Sequence, residues 1–71
     1  MDAEMKELDA LLDYLIKHNK DHAEEITVLA QKAKDLGETA VYDNLTKGVV
    51  HMERSNESLE KALSILRGKE Q

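Results

Sequence analysis

The sequence predicts an all-α fold, a long antiparallel helical hairpin that dimerises into a four-helix bundle. Three observations carry this. Ala, Leu, Glu and Lys dominate the 71 residues and Pro is absent, so the chain favours helix throughout. Apolar residues recur at heptad spacing in two runs, and residues so spaced share one side of a helix that another helix must cover. One clear punctuation, Asp35-Leu36-Gly37-Glu38-Thr39, separates the runs.

The first helix is expected over about residues 3–36. Its seam reads Leu8, Leu11, Leu15, His18, His22, Glu25, Leu29 and Leu36, widened by Leu12, Asn19, Ile26 and Ala33. A competing reading breaks this helix at residues 19–21, because Asp21 followed by Glu24 resembles a capping box. The heptad phase runs through residues 18–22 without slipping, and Lys20 is not the apolar residue a hydrophobic staple needs, so the continuous helix is preferred. Gly37 suits a left-handed cap, which places the turn at 37–38.

The second helix is expected over about residues 39–67, begun by Glu38 or Thr39 with Asp43 near its positive end. Its seam reads Val41, Leu45, Gly48, Met52, Ser55, Leu59, Ala62 and Leu66. Gly48 costs about 1 kcal/mol against Ala, and the plain reading is close helix approach that a side chain would block. Gly68 is expected to close the helix as Gly37 closes the first. The short turn forces the helices antiparallel, and the whole chain, 1–71, forms one domain.

Size and charge bound the function. A core this small rarely supplies more than about 3–5 kcal/mol, and two helices cover each other on one side only, so a homodimer, a ligand or both are expected. Ile16, Val28, Val50 and Ile65 remain for outer faces, some of them to meet a partner helix. The net charge is −5, from 15 acidic and 10 basic residues, which disfavours nucleic acid. No apolar run reaches membrane-span length, Cys is absent, and Met-Asp-Ala-Glu is the reverse of a secretory signal. A cytoplasmic protein with no membrane partner is the expectation. With no Cys, no phosphate-binding loop and no Ser nucleophile beside a plausible base, the chain does not read as an enzyme.

The polar patch in the first seam is the one functional clue. His18, Asn19 and His22 stand where Leu would be expected. In a hairpin turning at 37–38, facing residues have numbers summing to about 75, so His22 falls opposite Glu53 and His18 opposite Glu57, with His51 brought near Glu25 and His22. Histidines four apart leave the same side of a helix and together can hold Zn, Ni, Co or Cu. The expected metal set is His18, His22 and His51 with Glu25 or Glu53, and Asn19 and Asn56 orient the imidazoles as outer partners. Met52 offers a soft ligand for copper or an axial ligand for haem, although a chain without Phe and Trp suits a haem pocket poorly. The plainer reading is a polar layer of His18, Asn19, Ser55 and Asn56 that only sets helix register and oligomer state. Tyr14 and Tyr42 flank the seams, with ring buried and hydroxyl wet.

The segment from Leu11 to Glu25, containing His18-Asn19-Lys20-Asp21-His22-Ala23-Glu24, resembles a small helical-hairpin domain of bacteria and archaea whose function is uncharacterised. Gly37 matches its turn glycine, and Asn56-Glu57-Ser58-Leu59-Glu60-Lys61-Ala62-Leu63 matches its second-helix pattern. The resemblance implies a helical hairpin and points to His18, Asn19, His22 and Asn56. The family pattern allows a further His one turn before the pair, where this chain has Tyr14, so His51 takes the third-ligand role. Two functions follow as expectations: a small transition-metal-binding carrier or sensor accessory, with Zn, Ni or Co and otherwise no cofactor; or a non-catalytic scaffold whose His/Asn layer only sets register.

Overall fold

A computed structural model describes residues 2–69, and it contains two helices, α1 (Ala3–Asp35) and α2 (Thr39–Gly68), packed against each other as a hairpin. The hairpin is a rod with extents of 52 × 15 × 13 Å. Helix α1 passes through residues 19–21 without a break. Its amino end is held by Asp2, whose carboxylate accepts the Met5 N–H at 2.8 Å, satisfying one of the donors a helix start leaves open. No described helix is long and apolar enough to cross a membrane.

The turn follows from Gly37. It has φ of +78°, the left-handed conformation that costs an L side chain about 1–2 kcal/mol. Gly37 N–H donates to Lys34 C=O at 3.0 Å and Glu38 N–H to Ala33 C=O at 2.9 Å, the double closure of a Schellman cap. Gly37→Ala should therefore destabilise the hairpin by about 1–2 kcal/mol in urea unfolding, with no change in helix content of the folded state. Gly68 does not repeat this device. It is the last helical residue, and Gly37 is the one described residue with positive φ. The first turn of α2 carries no acidic residue, and its Glu38 cap makes no side-chain bond, so Asp43 lies too far in to meet the helix end.

The stripe that α1 turns toward α2 differs from the leucine seam. Buried or half-buried are Met5, Leu12, Ile16, Asn19, Ile26, Ala30 and Ala33, whereas Leu8, Leu11, Leu15, Leu29 and Leu36 are exposed. On α2 the inner stripe is Leu45, Met52, Asn56, Leu59, Leu63 and Leu66, with Val41, Ser55 and Ala62 outside it. The cause is the tight turn. Three residues between the helices hold their axes close there, and Ala30 and Ala33 permit that approach where Leu29 and Leu36 would not. Farther from the turn, Ile16, Leu63 and Leu66 form the apolar cluster, with Met5, Leu12 and Leu59 against it.

Ion pairs confirm the antiparallel register: Arg67 donates to both carboxylate oxygens of Asp9 at 3.0 and 3.1 Å, and Lys20 pairs with Glu60 at 3.1 Å. The Lys20–Glu60 pair is exposed, with a typical worth of about 0–1 kcal/mol, whereas the Asp9 side chain is only 18% exposed and its two-pronged pair with Arg67 is partly shielded from water. Gly48 is not a point of close approach within the hairpin, since a Cβ there would meet nothing within 4 Å.

Candidate metal site

Helix geometry sets a row of four side chains on one flank of α1: Tyr14, His18, His22 and Glu25. The Tyr14 ring stacks on His18 with centroids 5.2 Å apart and planes 18° apart. The His18 and His22 rings meet edge to face, 4.3 Å apart. Their Nε2 atoms lie 2.9 Å from each other, and His22 Nδ1 lies 3.1 Å from Glu25 Oε2.

For neutral imidazoles beside an ionised carboxylate, one arrangement of protons satisfies these contacts. The ionised Glu25 carboxylate only accepts, so His22 Nδ1 carries the hydrogen and donates to it. His22 Nε2 then presents a bare lone pair, which accepts the Nε2–H of His18. A carboxylate on the far nitrogen of a histidine is the usual way of fixing the tautomer and raising the basicity of a metal-ligating imidazole. Nitrogens 2.9 Å apart subtend roughly 90° at an ion about 2.0–2.1 Å from each. Both nitrogens can reach one ion if His18 moves its proton to Nδ1 and the two rings turn so that lone pairs now aimed at each other converge on it.

The other expected ligands do not join this row. Glu53 lines the groove on the opposite flank with Lys20 and Glu24. Lys20 and Glu24 are each two positions beyond a histidine, which at 100° per residue is the far side of α1. Glu53 is level with His22 along the rod and still faces away from it. The His51 side chain is exposed on α2 and takes no part in the contacts of the row. Among the described residues no group of three or more His, Cys, Asp or Glu side chains is placed to hold an ion, so one chain brings two nitrogens to a common point.

Asn19 and Asn56 do not orient the imidazoles. Asn56 is buried, its Nδ2 donates to the Ile16 carbonyl at 2.9 Å, and its Oδ1 accepts from Asn19 Nδ2 at 3.0 Å. This polar layer joins the two helices inside the hairpin and is separate from the histidine row. Tyr14 is the neighbour whose place in the row the spacing could have given, since it precedes His18 by four residues.

A family model described as Domain of unknown function (DUF8180) matches residues 8–66. No curated protein and no solved structure matches the chain.

Proposed function

We propose that this chain, which belongs to the DUF8180 family of domains of unknown function, is a small transition-metal-binding helical protein, a cytoplasmic carrier or sensor accessory that works as a homodimer in a four-helix bundle. The observation that supports this is the pair of His18 and His22 Nε2 atoms at 2.9 Å, with Glu25 on the outer nitrogen of His22. Zn, Ni and Co suit imidazole donors. In this reading the histidine row holds the ion and the chain performs no catalysis. Protein purified without a histidine tag should carry one of these metals by elemental analysis, or retain Zn²⁺ after equilibrium dialysis at micromolar free metal. Protein that retains none would contradict the reading.

The part-buried Asn19–Asn56 pair favours a second role for the fold, that of a scaffold. An amide pair in an apolar seam fixes register at some cost in stability. The two roles sit on different residues and make different predictions, because metal should act through His18 and His22 alone.

A further inference from the structure

We infer that a second copy of this chain covers the exposed apolar flank about a twofold axis perpendicular to the helices, and that His18 and His22 of both copies together form one four-imidazole metal site. This rests on the metal reading and adds to it who supplies the missing ligands.

The rod exposes more surface than a compact monomer does. The chain exposes 5447 Å², against about 4,450 Å² for a compact monomer of its 8.0 kDa. The excess of roughly 1,000 Å² is spread over the whole 52 Å rod, so a hairpin of this shape has surface to spare for the about 800 Å² that each partner brings to a stable interface. Leu11 and Leu29 on this flank are 53% and 54% exposed.

The flank is also self-complementary. On α1, Leu11 and Leu29 are placed symmetrically about residue 20, and so are His18 and His22. The level of α2 that faces residue 20 is residue 55, and Gly48 and Ala62 are placed symmetrically about Ser55. A twofold axis at that level sets Leu11 against the partner's Leu29 and His18 against the partner's His22. It also sets small residues on small residues along α2, where a Cβ at Gly48 meets nothing within the hairpin. Charge agrees with this. Lys20, Glu53, Glu57 and Glu60 line the opposite flank, which keeps those three carboxylates away from the second acidic chain, while Glu25 stays beside the site on His22 Nδ1.

The chemistry then completes itself. One chain offers two nitrogens, and structural Zn²⁺ is bound by four ligands in a tetrahedron. The partner's pair supplies the other two, and the leucines on either side exclude water from the centre of the interface.

The test is titration of chelator-stripped protein with Zn²⁺ and Co²⁺, reading metal stoichiometry, mass by sedimentation equilibrium and the visible spectrum of Co²⁺. The expected result is a dimer with one ion per two chains and the intense bands of tetrahedral cobalt. Leu15→Glu charges the flank without touching the hairpin core, and its helix content by circular dichroism should match wild type. It should be monomeric and bind Zn²⁺ weaker on the order of a hundredfold or more, since two of four ligands leave with the partner. One ion per chain on a monomer would overturn the shared site while leaving the metal reading intact. So would a Leu15→Glu monomer with unchanged Zn²⁺ affinity. A wild-type dimer that binds neither metal would overturn both.

Discussion

Zn²⁺, Ni²⁺ or Co²⁺ added to chelator-stripped protein should raise its melting temperature by about 10–20 °C, and His18→Ala with His22→Ala should abolish the rise. A ligand at a hundred times its Kd that binds only the folded state stabilises it by about 2.7 kcal/mol. Each kcal/mol moves the melting temperature of a chain of 60–100 residues by about 4–8 °C. In the unfolded chain two histidines four residues apart are no longer held on one side of a helix, so the ion loses its preorganised partners. His18 is exposed and His22 only half-buried, and Ala is the better helix former. The double variant should therefore fold as well as wild type in the absence of metal. A rise that survives the double substitution would place the ion elsewhere. Glu25→Gln should reduce the rise without abolishing it, because it removes the charge that fixes the His22 tautomer and leaves both nitrogens in place. That intermediate result separates an orienting carboxylate from a direct ligand.

The second large effect is expected at Asn56. The residue is 5% exposed, and its side chain is bonded at both ends, to Asn19 and to the Ile16 carbonyl. Asn56→Leu should destabilise the hairpin by about 1–3 kcal/mol, because it strands the part-buried Asn19 amide without a partner. Asn19→Leu together with Asn56→Leu should recover most of that loss or exceed wild type, since an apolar pair of matching volume carries no desolvation penalty. Urea unfolding of the two single variants and the double variant gives the coupling directly. A double variant that loses the sum of the single losses would mean that the amides do not act as a pair. Metal binding should be unchanged in the double variant, because the amide layer makes no bond to either imidazole.

The sequence carried the hairpin well. Helix-favouring composition, the absence of Pro and the lone left-handed glycine at Gly37 set the helix limits to within a residue or so. The facing of residues around that turn appears directly in the Asn19–Asn56 contact. What the heptads could not settle was azimuth. Helix α1 bears two adjacent apolar stripes, Leu11-Leu15-Leu29 and Leu12-Ile16-Ile26, and spacing alone does not say which one meets α2. Space near the turn decides it, through Ala30 and Ala33. The same rotation explains the site. Numbers that pair across the hairpin fix the level of Glu53 and His51 along the rod and say nothing of the flank each one faces. His18, His22 and Glu25 come together because their spacing of four and three lies within one helix, where azimuth follows from sequence alone.

The measurement that bears most directly on the proposed metal site is a Zn²⁺ titration followed by the imidazole nitrogen signals of ¹⁵N-labelled protein. Nε2 of His18 and of His22 should move together to metal-bound positions at the same added Zn²⁺, with Nδ1 of His22 still protonated against Glu25. Imidazole signals at 18 and 22 that stay where they began under excess Zn²⁺ would contradict it.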